Sequence, residues 1–439
     1  MASTLSLRSA GLRLRSLRQL QPRTDLRSAV ASMVEKKEFS SQPEQSAIDG
    51  RGYLMGSERS TIRAAVLWEP KKPMVIEDLK MPRPKTGEVL IKTKACGVCH
   101  SDLHVMKGDQ PYPSPVVLGH EVTGEVVEHG PHTDAATQKR IPVGARVVGA
   151  FIMPCGGCFF CVKGEEDLCE TFFKYNRGMG GLYDGTTRLY HASTGRPIFM
   201  YSMGGLAEYC VIPAHAVAPL APSLPYVESA IIGCAVFTAY GAMKNAADMR
   251  AGETVAIIGT GGVGSSCVQV ARAFGGRQII AVDVNEKQLA NAKKMGATHT
   301  VNASSENVVD RIKEITNGRG VDIAVEALGK APTFVQATQA VREGGKAVMV
   351  GLAPAGVAAQ VDISKLVRRK VQIIGSYGGR ARQDLPTVIT LAEMGFLKIE
   401  SAVTQRCSLE EADAAYGAMD RGEITGRAVV DIDPSLGNA

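Results

Sequence analysis

The most restrictive feature of this 439-residue chain is a glycine cluster that separates an apolar segment from an amphipathic one. TVAIIG (residues 254–259) runs directly into GTGGVG (259–264), and SSCVQVARAF follows. Glycines at the first, third and sixth positions allow a tight turn and let backbone approach a pyrophosphate at a helix N-terminus. The strand-to-helix context predicts a dinucleotide site, since the motif alone is weak. Its residues are Gly259, Gly261, Gly262, Val263 and Gly264.

An acidic residue, Asp283, ends the next apolar segment, QIIAVDV, at the place where the dinucleotide motif expects one. A carboxylate at this place accepts hydrogen bonds from both ribose hydroxyls and repels a 2′-phosphate. Val284 and Asn285 follow it, so no arginine is present there to receive such a phosphate. The sequence therefore favours NAD over NADP. A glycine-rich turn in a domain that binds no nucleotide is the alternative.

The hydrophobic pattern changes once along the chain. From Arg63 to Val148, short apolar segments are broken by Gly and Pro, which predicts an all-β, barrel-like domain. From Glu253 onward, continuous apolar segments alternate with helical ones such as Glu286 to Met295, which predicts a parallel sheet covered on both faces. The tail after Tyr377 mixes helix and strand and is expected to return to the first domain.

Four of the ten cysteines are spaced C-x2-C-x2-C-x7-C, with glycines between them. Thiolates at this spacing can converge on one tetrahedral Zn²⁺, and four thiolates leave no open position, so we expect a structural zinc. An iron–sulfur cluster and disulfides are the alternatives. A reducing organellar matrix would argue against disulfides. The four residues are Cys155, Cys158, Cys161 and Cys169.

A second set of metal-binding residues is spread along the chain. Cys99 lies in GVCHSDLH, His120 and Glu121 in GHE, and Cys234 in IIGCA. One His and two Cys form a catalytic zinc set whose fourth position is open to water or substrate. A single Cys or His is more often an ordinary core residue. The coincidence of three candidates with a cysteine loop and a nucleotide motif favours the metal.

The N-terminal segment, residues 1–30, contains six arginines, no lysine and one acid, Asp25. It carries five of the six net positive charges, so the rest of the chain is near neutral and offers no basic footprint for nucleic acid. The segment lacks the apolar core of a secretory signal and is typical of a transit peptide for mitochondria or chloroplasts. We favour the mitochondrion, because arginines outnumber serines in this segment. No membrane span is expected, because the longest weakly polar run, 229–243, falls short of about 20 residues.

Together these motifs resemble those of the zinc-dependent medium-chain alcohol dehydrogenases, over roughly residues 61–435. The resemblance implies a GroES-like β-barrel catalytic domain, a Rossmann domain with a doubly wound parallel sheet, and NAD-linked oxidation of an alcohol. It also implies two zinc ions per subunit, one catalytic and one structural. We divide the chain into a transit peptide and linker (1–60), a catalytic domain (61–237), a Rossmann domain (238–376) and a C-terminal part (377–439).

The resemblance also implies roles for individual residues. Cys99, His120 and Cys234 correspond to the catalytic zinc ligands, and Glu121 to a carboxylate that can exchange onto the metal. The other correspondences are a proton relay of Ser101 and His104, an acid that orients the ligating histidine at Asp102, coenzyme phosphate contacts at His100 and Arg427, and nicotinamide contacts at Thr238 and Val263.

The substrate and the assembly are less constrained. The long segment 184–205 is similar to the dimeric plant and animal members, so we expect a homodimer. Glutathione-dependent formaldehyde dehydrogenase, a member of the same family, carries an Arg four residues after the last loop cysteine. This chain has Phe173 at that position, which argues against the glutathione-linked substrate. Phe151, Phe172 and Phe173 favour a hydrophobic alcohol, with core packing as the alternative.

Three other functions remain open from the residues. A zinc-free enone or quinone reductase using NADPH would need neither zinc set, and Asp283 disfavours NADPH. A polyol dehydrogenase of the same superfamily usually lacks a Cys at the position of Cys234. A nucleotide-binding protein without catalysis would not need Ser101 and His104.

Overall fold

The computed structural model describes residues 60–354 and 356–435. The expected transit peptide and linker, 1–60, therefore lie outside the described residues except for Ser60. Eighteen strands are described, numbered here in chain order. They are β1 Thr61–Leu67, β2 Val75–Lys80, β3 Glu88–Gly97, β4 Val116–Val117, β5 Val122–His129, β6 Arg146–Gly149, β7 Leu189–Tyr190, β8 Pro197–Met200, β9 Tyr209–Pro213, β10 Val217–Pro219, β11 Thr254–Ile258, β12 Gln278–Asp283, β13 His299–Asn302, β14 Val321–Glu326, β15 Val341–Met349, β16 Gln372–Gly375, β17 Val403–Ser408 and β18 Arg427–Asp431.

Thirteen α-helices are described over the same ranges, together with several short 3₁₀ or π turns. They are α1 His100–Lys107, α2 Ala135–Arg140, α3 Phe159–Val162, α4 Tyr226–Ser229, α5 Ala235–Gly241, α6 Gly262–Ala273, α7 Glu286–Met295, α8 Val308–Ile315, α9 Ala331–Ala340, α10 Ile363–Arg369, α11 Ala381–Glu393, α12 Ile399–Ala402 and α13 Ala412–Asp420.

The second half of the chain forms a six-stranded parallel sheet in the order β13-β12-β11-β14-β15-β16. Every residue of β11 is buried, as expected for a strand covered by helices on both faces. The chain reverses its direction of winding beside β11, and ligands of such sheets bind at the carboxyl ends of the strands at that point. The glycine cluster lies there, between β11 and α6. The predicted α/β fold class is thus confirmed.

The first half forms two mixed β-sheets, one of which also includes β17 and β18 from the C-terminal part. One has five strands in the order β2-β1-β4-β8-β7, and the other runs β10-β6-β5-β3-β18-β17 with β9 also paired to β3. Strand β18, near the end of the described chain, pairs antiparallel with β3 through Val430 and Cys96. This pairing holds the C-terminal part against the strand that leads into Cys99.

The expected domain boundary between residues 237 and 238 falls inside α5, Ala235–Gly241. Every residue of this helix is buried. The helix contacts α6 of the parallel-sheet half and begins directly after Cys234. It is therefore a shared element, and one end of it positions a predicted metal ligand while its side packs on the other half.

The described residues were also searched for membrane-spanning helices. No single helix among them combines the length and apolar composition needed to cross a bilayer. A bent pair, Tyr226–Gly233 and Ala235–Ala246, reaches that length and composition only when its two parts are taken together.

Candidate metal centres and coenzyme cleft

Four side chains from three separate parts of the sequence meet at one buried point. Ligand atoms of Cys99, His120, Glu121 and Cys234 all lie within 4.8 Å of one another. Cys99 is placed by the turn between β3 and α1, and Cys234 by the turn before α5. His120 and Glu121 lie between β4 and β5. The two sulfurs and the imidazole required by the sequence prediction are therefore adjacent, although Cys99 and Cys234 are far apart along the chain.

The His120 ring is held in one orientation by Asp102. Its Nδ1 lies 3.1 Å from Asp102 Oδ1, and both side chains are buried. With Nδ1–H donated to the carboxylate, Nε2 retains a lone pair for a metal. Asp102 also accepts from the Gly119 amide at 3.0 Å and from the Tyr416 hydroxyl at 2.9 Å. A carboxylate on the second ring nitrogen is the usual support of a zinc-bound histidine.

Glu121 offers a further test of whether these residues fit a metal ion. Its Oε2 accepts from Arg427 Nη2 at 2.5 Å. Its Oε1 is buried and has no hydrogen-bond partner among the described residues. An unpaired carboxylate oxygen beside two thiols and an imidazole is the donor chemistry that Zn²⁺ binds. The residues present therefore fit zinc.

The thiols of the centre influence each other's ionisation. The hydrogen bond from Cys234 lowers the pKa of Cys99 well below its ordinary value, helped by the nearby His120 ring. The same contact, together with burial, raises the pKa of Cys234. Burial raises the pKa of Glu121 to about 7 against the opposing charge of Arg427. The shared contact therefore moves the two thiol pKa values in opposite directions, and both thiols must lose their protons to become metal ligands.

The second cysteine set also converges. The ligand atoms of Cys155, Cys158, Cys161 and Cys169 lie within 4.8 Å of one another, and Cys158 Sγ is 3.9 Å from Cys169 Sγ. Zinc–sulfur bonds of about 2.3 Å at tetrahedral angles would place two sulfurs roughly 3.8 Å apart. All ten cysteines are free in the structure, so the disulfide alternative has no support in it. Backbone amides also donate hydrogen bonds to sulfurs of the loop: that of Cys158 to Cys155 Sγ, and that of Phe172 to Cys169 Sγ.

The loop is attached to the C-terminal part of the chain by ion pairs. Glu166, which is 1% exposed, accepts from the Arg382 backbone amide at 2.9 Å and pairs with its guanidinium. Asp167 pairs with Arg380 at 3.2 Å. These contacts connect the cysteine loop to the start of α11. Loss of the metal would therefore also disturb these ion pairs and the start of α11.

A cavity of about 260 Å³ lies between the catalytic cysteines and the glycine cluster. Most of the residues that the sequence analysis assigned to the coenzyme and the proton relay line it, together with the two catalytic cysteines. They are Cys99, His100, Ser101, His104, Cys234, Thr238, Gly261, Gly262, Val263, Gly264 and Arg427.

The glycines of the cluster are needed for different reasons: one allows close packing of backbone, and another leaves space for a ligand. A Cβ at Gly264 would come within 1.8 Å of the Gly259 carbonyl oxygen, so this glycine allows α6 to pack on β11. A Cβ on Gly261 would meet no atom within 4 Å, so the backbone there faces open space. Open space at this glycine is what close approach of a pyrophosphate requires. Arg427 lies over Gly262, where its charge can reach the same phosphates.

Two predicted coenzyme residues are not part of the cavity lining. Gly259 packs against Leu328. Asp283 Oδ2 accepts from the Thr260 backbone amide at 2.8 Å, and Oδ1 accepts from that of Asn285 at 3.0 Å. Asp283 therefore already shapes the glycine turn, and its predicted contact with ribose stays a prediction.

The aromatic residues expected near the substrate separate into different environments. Phe151 lines the cavity and packs edge-on against the His120 ring at 5.9 Å. Phe173 is half-buried and contacts Tyr377, another lining residue, at 5.7 Å. Phe172 is fully buried outside the lining, so it belongs to the core.

Sequence reasoning missed Tyr416, Tyr377 and Tyr201. Tyr201 packs on His120 at 5.7 Å. Tyr416 contacts Asp102 across almost the whole length of the described chain, and no spacing pattern reports such a pair. For Tyr201, the one available signal in the sequence was the presence of an aromatic residue in the segment YSMGG.

The protein families and relatives that match this chain are zinc-binding and alcohol dehydrogenases. Residues 85–222 match the alcohol dehydrogenase GroES-like domain, and residues 262–394 match the zinc-binding dehydrogenase family. The chain is 34% identical over 381 residues to alcohol dehydrogenase class-3 of Dictyostelium discoideum, covering 85% of this chain and 98% of the relative. It is 34% identical over 367 residues to S-(hydroxymethyl)glutathione dehydrogenase of Escherichia coli O1:K1 / APEC, covering 82% and 97%.

A similar solved structure is benzyl alcohol dehydrogenase from Acinetobacter calcoaceticus. It is 30% identical, with a TM-score of 0.79, and the match covers 85% of this chain and 99% of that one. The similarity therefore extends over both halves of the described fold.

Proposed function

The chain belongs to the zinc-dependent medium-chain alcohol dehydrogenases, and we propose that its substrates are hydrophobic, aromatic alcohols. It is an oxidoreductase that uses zinc and NAD to transfer hydride between an alcohol and the coenzyme. The observation that carries the substrate proposal is the aromatic wall beside the catalytic residues. Phe151 and Tyr201 both pack edge-on against the His120 ring, and Tyr377 continues the wall at 5.6 Å from Phe151.

Cys99, His120 and Cys234 would hold the catalytic zinc, with Glu121 beside them. When bound, zinc supplies a Lewis acid that acidifies the alcohol hydroxyl, and NAD supplies the hydride acceptor. Asp102 keeps the His120 ring oriented toward the metal position through Nδ1. Phe151 and Tyr377, the two wall residues that line the cavity, would exclude water from the reacting atoms.

Ser101 and His104 are suited to moving the proton. They are three positions apart on α1 and therefore share a face of this helix, which borders the cavity. Ser101 Oγ lies 3.9 Å from Cys99 Sγ, so its hydroxyl can accept the proton of the alcohol. His104 is 34% exposed, and its Nδ1 lies 3.3 Å from the Asp109 carboxylate, so it can release a proton to solvent.

A panel of alcohols tests the substrate proposal. We expect kcat/KM with NAD to be at least tenfold higher for benzyl alcohol than for ethanol, because the larger ring buries more apolar surface against the wall. S-(hydroxymethyl)glutathione, the substrate named for one relative, is the comparison substrate. Higher kcat/KM for it than for benzyl alcohol would reject the proposal. Phe151→Ala should reduce the benzyl alcohol rate more than the ethanol rate.

The protein is further proposed to be a homodimer that joins at the free edge of the parallel sheet. Strand β16 ends this sheet, and apolar side chains around it are exposed. They are Ile373 in β16 and Ile363 and Val367 in the preceding helix α10, with exposed fractions from 36% to 76%. Light scattering should give twice the chain mass, and Ile373→Asp should give a monomer, whereas Val143→Asp, at an exposed valine of another loop, should not.

A mitochondrial location is proposed from the arginine-rich, acid-poor segment of residues 1–30. Residues 1–60 fused to a fluorescent protein should enter mitochondria. Replacement of the six arginines by glutamine should abolish import, and import into chloroplasts instead would contradict the proposal.

A further inference from the structure

Asp384 is a fully buried carboxylate near the start of α11, outside the cavity lining. Its Oδ1 accepts a hydrogen bond from Lys244 Nζ at 2.7 Å. Its Oδ2 accepts from the Asn245 side-chain amide at 2.7 Å and from the Arg380 backbone amide at 2.8 Å. Hydrogen bonds to an ionised group are roughly twice as strong as neutral ones, so Asp384 holds all three donors firmly.

The donors of Asp384 come from two different elements. Lys244 and Asn245 lie in a π-helical turn, Ala242–Ala246, which directly follows α5. Arg380 lies at the end of the connection between β16 and α11, as the residue that caps α11. Asp384 therefore ties that connection to the C-terminal end of α5, the helix whose other end meets the metal centre.

The connection between β16 and α11, residues 376–380, forms part of the cavity wall. Ser376, Tyr377 and Gly378 line the cavity. Gly378 has a φ of 66°, and a Cβ on it would lie 2.9 Å from the Phe151 ring. The backbone here is therefore pressed against Phe151 while it carries the Tyr377 ring, which lies 5.6 Å from that of Phe151. The position of this connection sets where both rings lie beside the catalytic residues.

Two consecutive glycines, Gly378 and Gly379, leave this connection without stiffness of its own, because glycine has more backbone freedom than any other residue. A larger side chain cannot supply the stiffness, since a Cβ on Gly379 would lie 2.9 Å from the Phe237 ring. Neighbouring elements must therefore hold the connection in place. The first backbone amide after the two glycines is that of Arg380, and it is the one that Asp384 binds.

We propose that Asp384 is a positioning residue for the reaction. Through the Arg380 amide it holds residues 376–380 against α5, and so keeps the Tyr377 and Phe151 rings where the alcohol binds. The inference goes beyond the proposed substrate class, because it applies to whichever alcohol the enzyme prefers. The two rings would contact that alcohol both before and during hydride transfer, so their displacement should raise KM and change kcat little.

Steady-state kinetics of Asp384→Asn at saturating NAD test the proposal, with the alcohol of highest kcat/KM in the panel. Asn keeps the shape of the side chain but replaces one oxygen by an NH2 group, which accepts no hydrogen bond. We expect KM for the alcohol to rise roughly tenfold, because a misplacement of about 1 Å by a distant mutation can cost up to about 100-fold, and kcat to change less than about threefold. Glu166 still binds the Arg382 amide, at 2.9 Å, so α11 itself should keep its place.

Lys244→Met tests the same link from the α5 side, at a side chain that is 41% exposed and therefore tolerates substitution better. It removes one donor of Asp384 and leaves the Arg380 amide bound, so KM should rise, but less than in Asp384→Asn. The KM increase in the double variant should be smaller than the product of the two single increases, because both changes act through one carboxylate.

Glu88→Gln is the matched control. Glu88 is also a buried carboxylate that accepts from a backbone amide, that of Lys85 at 2.8 Å, and from a basic side chain, Arg188, at 2.6 Å. Neither of these partners lines the cavity. This variant should lower the melting temperature, as Asp384→Asn should, but leave KM unchanged.

The outcomes are distinct. A native KM in Asp384→Asn, whatever its melting temperature, would overturn the proposal and leave Asp384 as a cap of α11. An equal rise of KM in Glu88→Gln would also overturn it, because the rise would then follow lost stability. If Asp384→Asn does not fold, Lys244→Met decides, and a native KM in that variant would overturn the inference. A best alcohol without an aromatic ring would reject the proposed substrate class and leave this test in force.

Discussion

Replacement of Tyr416 by Phe removes one oxygen atom from the buried support of the zinc centre. The hydroxyl donates to Asp102 Oδ2 at 2.9 Å, and both side chains are fully buried. Asp102 would keep two donors, both on Oδ1, and its second oxygen would be left unpaired. The loss of a hydrogen bond to a buried charged group costs roughly 1.5–3 kcal/mol. For a folded region of this size, that is a fall in melting temperature of about 2–4 °C.

The same change should weaken zinc binding, because an under-bonded Asp102 orients His120 less firmly. Mutation of groups that support zinc-bound histidines typically lowers metal affinity 10–100-fold. We expect the lower end of that range here, about tenfold, since the Asp102–His120 contact itself remains. The assay is competition for zinc with a chromophoric chelator, alongside thermal unfolding with zinc and NAD present.

Tyr226→Phe is the matched control for this experiment. The Tyr226 hydroxyl donates to Glu125 Oε1, also at 2.9 Å, but that carboxylate pairs with Lys94 rather than with His120. It should lower stability and leave zinc affinity unchanged. Equal zinc affinity in Tyr416→Phe and native protein would refute the argument that Tyr416 acts on the metal through Asp102.

The remaining predictions concern the metals, the coenzyme and pH. Cys99→Ser should lower activity below detection with little change in melting temperature, whereas Cys158→Ser should lower the melting temperature and reduce bound zinc from two ions to one; the opposite pattern would exchange the two assignments. Asp283→Asn should raise the ratio of NADP to NAD kcat/KM, and an unchanged ratio would count against a ribose contact. Bonds from Thr254 lower the pKa of Asp322 despite its partial burial, with Arg342 contributing. Because the folded pKa is the lower one, this stabilisation is complete above the ordinary aspartate pKa and is lost as pH falls from there through the lowered folded pKa. The stability difference between native protein and Asp322→Asn should therefore shrink from pH 6 to pH 3, and a constant difference would contradict the assignment.

Much of the coenzyme half could be predicted from the sequence. Buried parallel strands and amphipathic helices have a hydrophobic periodicity that is visible in short stretches of sequence. The helix expected at Glu286–Met295 accordingly has those bounds in the structure. Strands β13 and β16 were not foreseen, since both are short and Val301 is the only fully buried residue in the pair. Short, half-exposed strands at sheet edges carry too little hydrophobic pattern to be recognised.

By itself, the sequence determined the local chemistry of the cysteine loop, residues 155–169, and of the glycine turn after β11. Both depend on residues a few positions apart, and such short spacings limit where the side chains can point. Tertiary structure alone decided that Tyr416 meets Asp102 and that Arg427 joins Glu121 to the coenzyme cleft, across 314 and 306 positions. It also decided that Arg177 is enclosed by rings without an acceptor among the described residues. The physical reason is that hydrogen bonds and burial depend on distance in space, and only the packed sheets bring these positions together.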